Sequence, residues 1–154
     1  MTFHIRTANR ADIPMLAEFN RAMAQESEDK PLDIAKVKAG IGGLFDRPTE
    51  GRYLIAEDER GVAAGALMLT FEWSDWRNGR FWWIQSVYVQ PQFRRSGVYR
   101  ALHAHVRAAA QAEPDACGLR LYVERDNTGA QATYLAMGMI ETHYRLFEEE
   151  FLRR

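Results

Sequence analysis

The sequence predicts a single α/β domain spanning residues 1–154, with a mixed, mostly antiparallel sheet flanked by about four helices. Two observations carry this. Apolar residues alternate with period two in some stretches and recur at helical spacing in others, giving the order β-α-α-β-β-β-α-β-α-β. The early strands are joined by hairpin signals, whereas the strands near residues 85 and 120 are separated by a long amphipathic helix. Hairpins make antiparallel neighbours, and a strand–helix–strand unit makes a parallel, right-handed crossover.

Residues 3–7 (FHIRT) alternate apolar and polar and read as the first strand. Asn9 or Asp12 can cap a helix with apolar positions Ile13, Leu16, Ala17, Phe19 and Met23. Pro14 falls in its first turn, where a missing N–H does no harm. The acid-rich segment AQESEDKPLD is expected to break this helix. Ile34, Val37, Ile41 and Leu44 predict a second helix, weakened by Gly40, Gly42 and Gly43. Residues 52–58 and 62–73 read as strands joined at ERG, and Trp76-Arg77-Asn78-Gly79 as a turn into a fourth strand over 80–89. A helix over 97–112 stops before Pro114. A fifth strand over 119–124 precedes a helix over 127–137 that Gly138 ends. The tail MIETHYRLFEEEFLRR has β character and is expected to supply one or two closing strands.

With 154 residues, 47% of them hydrophobic and 27% charged, the chain suits one soluble domain with a sizeable core. A formal net charge of -1 argues against a general nucleic-acid or membrane-surface binder. The one cysteine, Cys117, can form no internal disulfide and fits a reducing cytoplasm; it reads as a small buried residue or, alternatively, a nucleophile. MTFHIRT lacks the apolar region of a signal peptide, and the apolar run over 62–71 is too short to cross a bilayer. His103 and His105 point to different helix faces, His4 and His143 are isolated, and no cysteine cluster exists, so no metal site is expected.

The stretch over 87–110, VYVQPQFRRSGVYRALHAHVRAAA, is a strand, a proline-marked turn, a basic glycine-containing loop and a helix. A helix start presents unpaired N–H groups and the positive end of its dipole, each contact worth about 0.3–1 kcal/mol when exposed. Arg94, Arg95 and Arg100 add cations, and Ser96 and Gly97 let a phosphate approach the backbone. An ordinary helix start with solvated arginines fits the same spacing.

Arg94-Arg95-Ser96-Gly97-Val98-Tyr99, with Val87-Tyr88-Val89 and Pro91 before it, resembles motif A (Q/R-x-x-G-x-G/A) of the GNAT superfamily of N-acetyltransferases. The resemblance implies acetyl-CoA as co-substrate. Val87, Tyr88 and Val89 would pair through their backbone with the pantetheine arm, and Arg94, Arg95, Ser96, Gly97, Val98, Tyr99 and Arg100 would surround the pyrophosphate. Tyr99 departs from the signature's last small residue, so its side chain must point away from the cofactor. Asn127, Ala130, Tyr134 and Gly138-Met139 are similar to the family's motif B. There the tyrosine is the general acid, which makes Tyr134 the candidate to protonate the leaving thiolate; the rival reading is a core aromatic residue. Asn127 is either a cofactor contact or a plain N-cap.

Trp73, Trp76, Trp82 and Trp83, the four tryptophans, fall close together with Glu72 and Asp75 among them. Carboxylates among aromatic faces suit a cationic amine, although aromatic strands packing a core would look alike. The layout FEWSDWRNGRFWWIQSVYV, with Glu26 and Glu28 in the acidic break, resembles spermidine/spermine acetyltransferases. That likeness marks Glu26, Glu28, Glu72, Trp73, Asp75, Trp83 and Gln85 as substrate-binding candidates. Gln85 stands where those relatives carry a catalytic glutamate and cannot take a proton, so Glu72 is the candidate base. The expectation is an N-acetyltransferase in which a small primary amine, polyamine-like or amino-acid-like, attacks the thioester directly in a ternary complex. The backbone amide of Val87 would steady the oxyanion. The alternatives are a peptide or protein α-amine as acceptor, or a non-catalytic acyl-CoA-binding regulatory domain. A homodimer is a further expectation, with the tail pairing strands across it.

Overall fold

Residues 1–152 are described by a computed structural model. The chain divides into two compact units, Met1–Tyr122 and Val123–Arg154. In the first, β1 (His4–Thr7), β2 (Gly51–Glu57), β3 (Ala63–Ser74), β4 (Gly79–Val89) and β5 (Ala116–Arg120) lie side by side in that order. The first four are antiparallel, and β5 runs parallel to β4. This is the mixed α/β sheet that the hairpins and the crossover helix predict.

The sheet carries apolar residues on both faces because β2 and β3 are near-continuously apolar. Leu54 of β2 joins Leu67, Leu69, Trp82 and Ile84 in a cluster with Val98, Leu102 and Val106 of α3 (Val98–Gln111). Those three α3 residues recur every four positions, and burying each fully is worth about 1.5–3 kcal/mol. Tyr53 and Ile55, the alternate residues of β2, join Ala66 and Tyr88 in a second cluster with Leu16, Ala17 and Phe19 of α1 (Ile13–Glu28) and Ile41 of α2 (Ile34–Phe45).

Local chemistry fixes the helix ends. Asn9 accepts from the Ala11 N–H while Asp12 accepts from the Asn9 N–H, a capping box on the short 3-10 turn Arg10–Asp12 that leads into α1. Asp33 accepts from the Ala35 and Lys36 N–H groups at the start of α2, which forms despite its three glycines. The acid-rich segment over residues 24–33 does end α1, but only part-way along it. The helix runs on through Glu28 and ends at Asp29, whose φ of 49° is left-handed. Glu26 and Glu28 therefore sit in its last turn and not in a loop. The fifth strand also begins earlier than expected, because Gly118 and Leu119 pair with Phe81 and Trp82 while residues 121–124 leave the sheet.

The second unit contains α4 (Thr128–Ala136). The Met139 N–H reaches Tyr134 O at 3.1 Å and the Gly138 N–H reaches Leu135 O at 3.0 Å. This Schellman ending requires the left-handed Gly138, φ 95°. The closing strands expected in the tail do not form. Among the described residues 140–152 there is no strand, and Ile140, Tyr144, Leu146, Phe147, Phe151 and Leu152 are exposed. Strand propensity records fit to a neighbouring strand rather than an intrinsic backbone preference, so β character alone does not make a strand.

Candidate active site

β5 pairs with β4 only from Arg80↔Ala116 to Trp83↔Arg120. Beyond that point β4 continues to Val89 with no β5 partner among the described residues. Within this stretch Ser86 has φ 53°, and the register with β3 slips so that Ser86 and Val87 together oppose one residue of β3. That is a β-bulge. It resets the alternation, so Gln85 and Tyr88, three apart, share the α1-facing side. On the β5 side, the β4 edge beyond Trp83 is one along which an extended ligand can make backbone hydrogen bonds.

The edge leads into the loop before α3. Arg95 (φ 63°) and Gly97 (φ 88°) are both left-handed, and the first N–H groups of α3 follow directly. The Ser96 hydroxyl donates to Phe93 O. Arg94 donates from Nε to Val89 O at 3.0 Å and from Nη2 to Glu26 Oε2 at 2.8 Å. Tyr88 donates its hydroxyl to Glu26 Oε1 at 3.2 Å. Burial and then the Glu26 carboxylate push the Tyr88 phenol above its ordinary pKa. Val98 is buried in the core, Arg95 and Arg100 are exposed, and Val87 and Val89 are half-buried. Tyr99 turns its phenol along α3 to His103 Nδ1 at 2.9 Å.

A second cluster lies on the α1-facing side of β3 and β4. Glu72 Oε1 accepts from Trp83 Nε1 at 3.1 Å and from Arg120 Nη1 at 2.7 Å. The Arg120 guanidinium stacks 3.7 Å from the Phe81 ring centroid, and Tyr122 lies 6.1 Å from Trp83, centroid to centroid. Gln85 donates from Nε2 to Thr70 Oγ1. Of the sequence candidates for the acceptor, Glu72, Trp83 and Gln85 are thus brought onto one face. Trp73 alternates to the other face of β3, Asp75 lies in the β3–β4 turn, Glu26 meets Arg94 and Tyr88, and Glu28 is exposed at the end of α1.

In the second unit, Asn127 accepts from the Ala130 N–H at 3.2 Å, the N-cap of the two readings its sequence allows. Tyr134 lies two helical turns further on and is half-buried; burial pushes its phenol above the ordinary value. A phenol so shifted is fully protonated at neutral pH and able to give a proton.

The family described as Acetyltransferase (GNAT) matches residues 13–139, most of the chain. The chain belongs to the GNAT acetyltransferase family. It is therefore an acyltransferase, with acetyl-CoA as co-substrate. Among solved structures, this GNAT chain is similar to a possible acetyltransferase from Clostridium difficile 630, with 36% identity over 99% of this chain and 100% of that one and a TM-score of 0.90. A predicted acetyltransferase with acetyl-CoA from Clostridium acetobutylicum shares the fold at 16% identity, 96% coverage of each chain and TM-score 0.78. A ribosomal-protein-alanine N-acetyltransferase from Brucella melitensis biovar Abortus 2308 does so at 19% identity, 97% and 99% coverage and TM-score 0.78. No curated protein matches. No helix among the described residues is long and apolar enough to cross a membrane, and no group of three metal-ligating side chains occurs among them.

Sequence reasoning gave no role to Arg120, Thr70 or Ser86. Arg120 meets Glu72 across the intervening β4, a contact set by the register of three strands. Thr70 beside Gln85 could have been found from the period-two alternation once β3 and β4 were paired. A serine marking a bulge leaves no signal in a single sequence.

Proposed function

We propose that this GNAT chain, acting as one catalytic domain over residues 1–154, moves an acetyl group from acetyl-CoA to the α-amine of a small amino-acid-like molecule. The pantetheine arm lies along the backbone of Val87, Tyr88 and Val89, and the pyrophosphate meets the loop N–H groups from Arg95 to Arg100. The observation that carries the cofactor reading is the open edge of β4 beyond Trp83 running directly into a loop with left-handed Arg95 and Gly97.

The acceptor reading rests on charge. Trp83 and Arg120 both donate to Glu72 Oε1, and Arg120 balances its charge. A polyamine calls for carboxylates in excess. A matched carboxylate–guanidinium pair instead suits a zwitterion, with the ammonium at Glu72 and the carboxylate at Arg120. The proton balance agrees. Deprotonating a lysine-like amine at pH 7 costs roughly 4.6 kcal/mol, whereas an α-amine costs about 1–1.4 kcal/mol. Placing amine against thioester supplies roughly 7–11 kcal/mol, so a pre-aligned α-amine needs little help from a base. Glu72 receives the proton directly or through a water, Gln85 orients the acceptor, the Val87 N–H steadies the oxyanion and Tyr134 protonates the departing thiolate. The net charge of -1 supports a small acceptor over nucleic acid or a membrane surface.

Steady-state release of coenzyme A thiol across a panel of amino acids, diamines, polyamines and peptides tests this. Amino acids are expected to give the highest kcat/KM near pH 7. Faster turnover of spermidine would overturn the acceptor class, and acetyl-CoA binding without turnover of any amine would overturn catalysis.

A further inference from the structure

We infer that Glu26 is a positioning residue for the acetyl-CoA loop: by holding Arg94 it locks the segment before α3 into its pyrophosphate-binding shape. The inference rests on the assignment of that loop to the pyrophosphate. Glu26 lies in the last turn of α1, seven positions after Phe19 and so on the same helix face. Phe19 packs on the Tyr88 ring at 5.3 Å between centroids, which fixes this end of α1 against β4. Both carboxylate oxygens are then used, Oε1 by the Tyr88 hydroxyl and Oε2 by Arg94 Nη2 at 2.8 Å. The same guanidinium donates from Nε to Val89 O and lies 5.6 Å from the Tyr88 ring centroid. Arg94 thereby ties the last residue of β4 to the first residue of the loop.

The next residue explains the need for such a tie. Arg95 has φ 63°, a left-handed conformation that a side chain disfavours and that persists only where its neighbours hold it. Arg94 is fastened on one side of it, and Ser96 is fastened to Phe93 O on the other. The loop's shape is thus held by the protein's own hydrogen bonds, and a site shaped beforehand binds more tightly because less order is lost on binding. With its oxygens on Tyr88 and Arg94, Glu26 serves the cofactor side rather than the acceptor.

The test is Glu26→Gln in the full-length protein, read by calorimetric affinity for coenzyme A and by steady-state kinetics with two donors, acetyl-CoA and S-acetylpantetheine, which lacks the pyrophosphate. Coenzyme A affinity and kcat/KM for acetyl-CoA should each fall about fivefold, the value of one exposed charge pair. The kcat at saturating acetyl-CoA, the acceptor KM and kcat/KM for S-acetylpantetheine should stay within twofold. Glu26→Gln combined with Arg94→Met should bind coenzyme A no more weakly than Arg94→Met alone. A raised acceptor KM with unchanged coenzyme A affinity would return Glu26 to the acceptor site. Tighter coenzyme A binding would mean that Glu26 competes with the phosphates for Arg94. Equal losses with both donors would mean a general structural role. Each of these overturns the inference while leaving the cofactor site intact, whereas failure of the wild-type protein to bind coenzyme A would remove the cofactor assignment itself.

Discussion

Replacing Arg120 by methionine leaves an uncharged side chain of similar length and removes the guanidinium, which faces Glu72 at 2.7 Å and stacks on Phe81. Two effects of opposite sign follow for two kinds of acceptor. A unit-charge pair at 4 Å interacts by about 4 kcal/mol at an effective dielectric of 20. With the side chains 24% and 47% exposed, solvent screening reduces this to about 1 kcal/mol. Glu72 gains that much for a second cationic group, so kcat/KM for a diamine should rise about fivefold. An amino acid loses the charge-assisted hydrogen bond to its carboxylate, worth about 1.5–3 kcal/mol, so its KM should rise about 10- to 150-fold. The assay is coenzyme A thiol release with alanine and with a short diamine, each over a range of acceptor concentrations at saturating acetyl-CoA. An equal loss for both acceptors, with a lowered melting temperature, would show that Arg120 serves the Phe81 contact and would refute zwitterion recognition.

Three further outcomes follow from the same geometry. Tyr134→Phe should lower kcat by about 10²-fold or more, the scale of general acid catalysis, with coenzyme A affinity by calorimetry unchanged; an undiminished kcat would remove Tyr134 from the mechanism. Gly97→Ala places a Cβ in open space but at φ 88°, so the expected loss is backbone strain alone, about 1–2 kcal/mol, seen as a raised KM for acetyl-CoA and a lower melting temperature. His103 is fully buried between Tyr99 and Arg107, and burial followed by the Arg107 charge holds its pKa below 6.5. The unfolded chain then binds a proton that the folded one refuses. Stability is full above about pH 6.5 and falls as pH drops through that value toward the lowered pKa. Melting temperatures measured from pH 7.5 to 5 should fall more steeply for the wild-type protein than for His103→Leu, and parallel slopes would contradict the assignment.

The parts of the molecule written in local sequence were legible before any coordinates. The amphipathic stretch that stops before Pro114 marked α3, Asn78-Gly79 marked the β3–β4 turn, and Gly138 marked the end of α4. The basic loop and the motif around Tyr134 pointed to the family. The features that escaped depend on register or on the end of an element. Arg120 and Glu72 are far apart in the chain and meet only because β4 separates β3 from β5 by one strand. Glu26 looked like a loop acid because the acid-rich segment around it suggested a break between the first two helices. With α1 extended to Glu28, it continues the stripe of Leu16, Phe19 and Met23, and a carboxylate on an apolar stripe signals a buried-edge partner. The tail misled for a different reason: its β character promised strands, and none forms among the described residues 140–152.

Direct acetyl transfer from acetyl-CoA to an α-amine, as proposed for this chain, is tested most directly by a rapid-quench single turnover with carbon-labelled acetyl-CoA. All label should pass to the amide of an amino-acid acceptor, with none retained on the protein at any time and with a rate that depends on acceptor concentration. Label accumulating on the protein, or remaining as acetyl-CoA in the presence of every acceptor tried, would contradict it.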